Sequence, residues 1–375
     1  MTADNMTADN ITAGNMTVGK LFTQRFGFIL PRFLREDYSP YQCKVSVNGI
    51  NYDARTQRIH WQNQIKTWIN TGKNPFVQPV ECRECLFDTR IPNIYIGADG
   101  VCNMCMTYKK NFKQEILDSE LQTFLNTPRE AGAKVDAVVG FSGGKDSAVS
   151  LITARKKLGL AVTAVLVQNG FIPKQVVENG QKLCDLLGVE LVVLNIDLAP
   201  YVKDMMDNDF KTGYPCYQCT GMFHKAIQDY CIQNHINRII MGRNWWHWIE
   251  PEVRSTRWVT DEASGKKLQL FSLPFVLQLT EKDVYRILEE TGWSTVKIHG
   301  NSTNCVLPGL VEHQVHRNLG YHPELQLLSR EVITGFLDKE EAKHQLSEVR
   351  DNTEALRRLV NQKLAERQNA QTEKQ

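Results

Sequence analysis

Short apolar runs alternate with stretches of helical period along this chain, and the alternation predicts its architecture. Residues 135–139 are rich in β-branched side chains, as a buried strand requires, and 148–157 then carry Val149, Leu151, Ile152 and Ala154 at helical spacing. The succession recurs as strand 160–167, helix 173–187, strand 191–196, strand 236–241 and the amphipathic helix 281–291. It predicts an α/β fold: a Rossmann-like parallel sheet with helices on both faces, in which ligands collect at the carboxyl ends of strands. Further helices are expected over 108–125, 222–234 and 339–367; the last alternates in charge and is suited to dock on the domain or to pair with a second copy in a homodimer.

Upstream the periodicity weakens. Residues 1–18 repeat MTADN, MTADN, ITAGN, MTV with a five-residue period and little to bury, which reads as a disordered leader. Residues 19–80 are mixed, with aromatic and basic side chains at 22–35 and a short helix at 61–70 ended by Gly72 and Pro75; Cys43, alone there, reads as a small buried hydrophobe. The expected organisation is a leader (1–18), an N-terminal extension (19–80), a cysteine ribbon (81–107), the α/β domain (108–337) and a C-terminal helix and tail (338–375).

Composition narrows the function classes. The chain has 375 residues and a net charge of +2, which gives no strong overall field for nucleic acid. No apolar run approaches a membrane span and the N-terminus lacks a signal-peptide pattern, so the cytosol is expected, with no membrane partner. Of ten cysteines, six fall in CxxC pairs, which points to metal or redox chemistry rather than disulfides.

Two pairs stand together: Cys82-x-x-Cys85, sixteen residues, then Cys102-x-x-Cys105. This is the spacing of a four-thiolate Zn²⁺ site, and four protein ligands leave no open position, so the expected role is structural. Gly97 and Gly100 permit the turn into the second knuckle.

Between strand 135–139 and its helix lies Ser142-Gly143-Gly144-Lys145-Asp146-Ser147, a turn of small residues in which two glycines let backbone approach an anion and the helix start adds unpaired N–H groups. Two other polar segments follow strands of the same sheet: Gln168-Asn169-Gly170, placed to reach an adenosine, and Gly242-Arg243-Asn244, placed to reach phosphates or an acceptor. Asn169, Gly242 and Asn244 are accordingly nucleotide-binding candidates. The third CxxC, Cys216 and Cys219, stands before an expected helix and is open to reading as a redox pair or as part of an iron–sulfur site, with Cys305 the downstream candidate for a third ligand. Cys184 and Cys231 fall in partly apolar helical patterns and read as core. In Trp245-Trp246-His247-Trp248, at least two indoles are expected to be packed inside, although flat aromatic faces at a strand end suit a planar ligand; Glu250, Glu252, Arg254 and Arg257 read as a solvated face.

The string SGGKDS resembles the PP-loop of the ATP pyrophosphatase superfamily. The resemblance implies ATP with Mg²⁺, cleavage between the α and β phosphates, and transfer of AMP to a substrate oxygen. Ser142, Gly143, Gly144 and Ser147 would hold pyrophosphate, Lys145 would offset its charge, and Asp146 would hold the metal or orient the loop. The stretch CRECLFDTRIPNIYIGADGVCNMC, with 319–323, 329–335 and 339–342, resembles the N-acetyl sugar amidotransferases, which implies ammonia from a partner glutaminase and an amidine product. A CxxC after the third strand plus one later cysteine is similar to PP-loop enzymes that thiolate nucleobases, which implies a [4Fe–4S] cluster on Cys216, Cys219 and Cys305, or Cys219 and Cys305 as persulfide carrier and resolving thiol. The sulfur reading is preferred, with catalytic Lys145, Asp146, Cys219 and Cys305, a sulfur-donor protein, and a planar small molecule or a tRNA base as acceptor.

Overall fold

The computed structural model describes residues 44–47, 50–210, 214–298, 302–347 and 349–372. The expected leader, the 22–35 cluster and Cys43 lie outside the described residues, as do Gly213, Gly300 and Asn301.

The sheet forms from apolar runs that have nowhere else to go. Strands β3 (Ala137–Gly140), β4 (Val162–Gln168), β5 (Glu190–Asn195) and β6 (Arg238–Met241) pair in parallel, as does β8 (Lys267–Ser272) with β6. Strand β7 (Thr256–Thr260) closes the edge antiparallel to β8. The order is β5-β4-β3-β6-β8-β7. From β3 the chain winds outward through β4 to β5, then returns to the other side of β3 as β6. The switch point therefore lies between β3 and β6, where a crevice opens at the strand ends. The central strands are buried on both faces, as Val138, Val139, Val165 and Ile240 illustrate. Cys184 and Cys231 are fully buried in this core.

Among the described residues, the other elements before the sheet are a hairpin, β1 (Lys44–Val47) and β2 (Ile50–Asp53), and helices α1 (Ala54–Thr71), α2 (Asn103–Asn111) and α3 (Gln114–Asn126). The single helix expected over 108–125 is two, because backbone at Phe112 is extended. Asn111 is instead engaged with the loop after β6: its carbonyl accepts Val253 N–H at 3.2 Å, and its amide donates to Ile249 O at 2.9 Å.

Around the sheet lie α4 (Lys145–Ile152), continued by one π-helical turn over Thr153–Lys157, α5 (Lys174–Leu187), α6 (Ala199–Asp207) and α7 (Pro215–Gln233). Helix α7 starts seven residues earlier than expected: Pro215 sits in its first turn, where the missing N–H costs nothing, so the third CxxC lies inside the helix rather than before it. After β8 come α8 (Leu273–Val276), α9 (Glu281–Thr291), α10 (Leu307–Leu319), α11 (Leu325–Ile333), α12 (Lys339–Ser347) and α13 (Thr353–Thr372). Helix α9 has the expected bounds because Thr280 and Asp283 form a reciprocal capping box and Gly292 ends it in a left-handed conformation. The expected 339–367 helix is two, α12 and α13.

The ribbon keeps a small core of its own, with Phe87, Ile91, Ile94 and Ile96 around the four cysteines, closed on one side by Tyr321 and Leu325. Helix α1 docks on it through Gln64 Nε2, which donates to Thr89 O at 2.6 Å, and Thr67 Oγ1, which accepts Ile96 N–H at 3.0 Å. Lys339 Nζ, at the start of α12, donates to Cys82 O and Arg83 O at 3.0 and 2.9 Å. No helix among the described residues is long and apolar enough to cross a membrane.

Candidate active site at the β3–β6 switch point

The phosphate loop leaves β3 at Gly140 and enters α4 at Lys145. Gly143 has φ +80°, and a Cβ there would stand 2.5 Å from Val176 Cγ1, so neither the conformation nor the space admits a side chain. The loop is held open by its serines. Ser147 Oγ donates to Gly144 O at 3.0 Å, accepts Ser142 N–H at 3.1 Å, and lies 3.1 Å from Ser142 Oγ. Gly144 supplies no side-chain cap to α4, so the helix start faces a cradle of small residues suited to phosphate oxygens.

Gly242, following β6, is pressed against this loop: a Cβ would lie 2.7 to 2.9 Å from the backbone of Asp146 and Ser147. The approach brings Asn244 and α11 to the site. Asn244 is buried, donates to Glu331 Oε1 at 3.3 Å, and keeps its Oδ1 buried without a partner. Lys145 Nζ lies 3.0 Å from Asp146 Oδ1, 3.6 Å from Glu281 Oε1 and 5.0 Å from the Phe336 ring centroid. Burial works against its ammonium, but Asp146, Glu331 and Glu281 outweigh that and hold its pKa above the ordinary lysine range. The converse strain falls on the carboxylates. Burial, then Asp146, push Glu331 up to about 7, and burial also raises Glu281. Three carboxyl groups around one ammonium are short of positive charge, as a site that takes a divalent cation with its nucleotide should be. Glu281 and Glu331 were not singled out from the sequence; they start or end ordinary-looking helical segments, and only folding brings them to Lys145.

The later cysteine reaches the loop through its own segment. Lys145 N–H donates to Thr303 Oγ1 at 3.2 Å, and a Cβ on Gly144 would meet that oxygen at 2.8 Å. Two residues on, Cys305 shares a donor with α7: Asn169 Nδ2 lies 3.3 Å from Cys219 Sγ and 3.7 Å from Cys305 Sγ. Asn169 Oδ1 accepts Phe171 N–H at 2.8 Å, so this side chain is committed to the cysteines and its own turn. Cys216, Cys219 and Cys305 all pack against the same apolar cluster, with Cys216 charge-coupled to the other two, yet the three sulfurs are not gathered within 4.8 Å of one another. Burial raises all three thiols, Cys305 to about 11.

The ribbon cysteines are arranged differently. All four sulfurs lie within 4.8 Å of one another, with Cys82–Cys105 at 3.9 Å and Cys85–Cys102 at 3.6 Å. A tetrahedral ion with Zn–S bonds of about 2.3 Å places its sulfurs roughly 3.8 Å apart. Backbone N–H groups of Glu84, Phe87, Cys102 and Cys105 point at the sulfurs at 3.2 to 3.4 Å, as they do toward thiolates. Contact with Cys102 pushes Cys85 and Cys105 up and Cys82 down, so the crowded thiols share their protons unevenly, whereas a divalent cation would hold all four as thiolates. The set fits a metal.

Trp246 is buried and Trp245 partly so, against the main core, while Trp248 is 52% exposed. Glu250, Arg254 and Arg257 are exposed, but Arg257 belongs to edge strand β7, which the sequence reading missed because its polar alternation resembles a loop.

The family model for NAD synthase matches residues 118–242 of this chain, from α3 to Gly242. An uncharacterized protein of Methanocaldococcus jannaschii is 26% identical over 273 residues, 71% of this chain and 93% of its own length. The NH(3)-dependent NAD(+) synthetase of Methanococcoides burtonii is 29% identical over 122 residues, 32% of this chain and 46% of that one. Among solved structures, NMN synthetase from Francisella tularensis is similar at 22% identity and a TM-score of 0.24, over 35% of this chain and 54% of that one. The phosphate complex of phosphoadenylyl-sulfate reductase from Candida auris is similar at 12% identity and a TM-score of 0.30, over 48% and 80%. The stretch Ser142 to Ser147 lies within the residues that match the NAD synthase model, so this part of the chain is similar to the PP-loop adenylating class. The ribbon, Glu281, Cys305 and Glu331 fall outside the residues that the family model matches.

Proposed function

We propose that the protein adenylates a carbonyl oxygen of an amide or lactam at the phosphate loop and replaces that oxygen with sulfur delivered from the Cys219–Cys305 side. The observation that carries this reading is the coupling of the two halves: the 302–305 segment touches the loop through Thr303 and, through Cys305, shares the Asn169 amide with Cys219. The substrate oxygen attacks the α-phosphorus of ATP and pyrophosphate departs. Ser142, Ser147 and the α4 start hold the departing group, and Lys145 offsets its charge. Mg²⁺, when bound near Asp146, Glu281 and Glu331, supplies further charge neutralisation.

Sulfur then enters as a persulfide, loaded by a persulfide-bearing donor protein, on Cys305, which takes the carrier role expected of Cys219 because its own segment touches the phosphate loop through Thr303. Its outer sulfur attacks the adenylated carbon and AMP leaves with the C–O electron pair. The Cys219 thiolate attacks Cys305 Sγ, releasing a thiocarbonyl and leaving a Cys219–Cys305 disulfide, which an external dithiol reduces. Cys216, Cys219 and Cys305 are also soft donors suited to an iron–sulfur cluster, which when bound would offer an iron site for hydrosulfide.

A second reading, with ammonia as nucleophile, is favoured by the match to the NAD synthase model and to the NH(3)-dependent NAD(+) synthetase. Anaerobic purification with assays for iron, acid-labile sulfide and persulfide separates the two. Iron with sulfide, or persulfide lost in Cys305→Ser, supports sulfur; zinc alone, with neither, removes it and leaves ammonia.

A further inference from the structure

Beside the loop after β6 lies a group of cations that no carboxylate among the described residues pairs with. Gly242 seats the loop after β6 against Asp146 and Ser147, which fixes Arg243 next to the phosphate cradle. Thr334 Oγ1 donates to Asn244 O at 3.0 Å and Asn244 to Glu331, so the end of α11, with Arg330, is pinned to the same loop. Arg243 stacks 5.3 Å from the Trp245 ring centroid and donates to His247 Nδ1 at 3.0 Å. That bond makes Nδ1 the acceptor, so Nε2 carries the proton, and this N–H is buried without a partner.

The cations act on each other. Burial, then Arg330 and Arg257, lower Arg243 to about 10; burial, then Arg243 and Arg257, lower His224 to about 4; burial, Arg243, Arg257 and His224 lower His247 to about 3. Burial also lowers Arg330, which is within charge range of Tyr217. Among the described residues, no carboxylate lies within 4.0 Å of Arg243, Arg257 or Arg330, whereas Arg238, Arg254, Arg286 and Arg317 each have one.

A partly buried guanidinium without a counter-ion is unfavourable unless a ligand supplies the charge. Two half-buried guanidiniums, Arg243 and Arg330, present more donors than the two oxygens of a carboxylate can use, and suit a phosphate. Resting on the adenylation reading above, we propose that the acceptor is a small organic phosphate, whose phosphate is held by Arg243 and Arg330 while its carbonyl reaches the phosphate loop.

The test loads the full chain with Mg²⁺ and the non-hydrolysable ATP analogue AMPCPP, which fills the nucleotide site, and titrates inorganic phosphate, ribose 5-phosphate and a short single-stranded RNA by calorimetry. Inorganic phosphate and ribose 5-phosphate should bind the loaded protein and bind at least tenfold more weakly to Arg243→Gln and Arg330→Gln. AMPCPP affinity should stay within twofold in both variants, which also reports that they are folded, and Arg243→Lys should recover part of the phosphate affinity. Unchanged phosphate binding in the variants, parallel loss of AMPCPP binding in folded variants, or binding of RNA alone would each overturn the proposal. Failure of the unmutated protein to bind AMPCPP would instead sink the adenylation reading, and phosphate binding would still test the arginines.

Discussion

The two cysteine sets make opposite uses of the same side chain. In the ribbon, four sulfurs close to single-ion spacing, backbone N–H groups point at them, and Phe87, Ile91, Ile94 and Ile96 seal them in. At the switch point, Cys216, Cys219 and Cys305 come from two distant segments, stay further apart, and share an amide from a third segment, Asn169. A closed set spends its ligands on holding a fold; an open one leaves reactivity unspent. On the reading proposed above, the first set holds structure and the second carries chemistry.

The largest expected effect falls on the closed set. Removing its metal with a chelator, or Cys102→Ser, should unfold the ribbon and loosen the contacts of Lys339, Tyr321 and Leu325 with it. In small zinc modules the metal is worth on the order of 10 kcal/mol of folding free energy. Hydrogen exchange and zinc release should both report the loss, and an unchanged exchange pattern would break the structural assignment.

At the open set the effect should fall on rate rather than fold. Cys305→Ser or Cys219→Ser should lower sulfur transfer on the order of 10³-fold, about 4 kcal/mol of barrier, while ATP-dependent pyrophosphate release continues. Loss of pyrophosphate release in a variant that melts normally would place the cysteines in activation instead of delivery.

The phosphate loop should respond to charge. Glu331 is held near pH 7 in the folded protein against an ordinary 4.5, so the fold binds its proton more tightly than the unfolded chain does. Its stabilising contribution is full below about pH 4.5 and is lost as pH rises through about 7, a change of about 3 kcal/mol. Glu331→Gln should flatten that part of the stability profile of the nucleotide-free protein, measured by denaturant melts; an unaltered slope would show that Glu331 is not the group responsible.

The smallest expected effect is steric. Gly242→Ala must push the β6 loop off the backbone of Asp146 and Ser147, at about 1–3 kcal/mol. AMPCPP affinity should fall with it, and the ribbon's exchange pattern should not.

Much of this was legible along the chain. The strand–loop–helix around Ser142 to Ser147, the strands at 162–168, 190–195 and 238–241, helix α9 and the ribbon spacing all follow from local pattern, because each is specified by residues near in sequence. The early start of α7 and the break after Asn111 were missed. The first depends on a proline at a helix start and the second on a contact with residues about 140 positions away, neither of which periodicity records. Glu281, Glu331 and Thr303 were missed as site residues for the same reason: each sits in an ordinary local context.

By itself, the sequence determined the phosphate loop, the parallel α/β core and the four-sulfur ribbon, since turn chemistry, burial period and ligand spacing are properties of contiguous residues. Packing alone brought Thr303 to Lys145 and Asn169 to both Cys219 and Cys305, and left Arg243 and Arg330 without a carboxylate within 4.0 Å among the described residues. Those juxtapositions arise from how strands and helices pack at the switch point, and burial there turns ordinary lysines, glutamates and arginines into coupled charges that no linear spacing encodes.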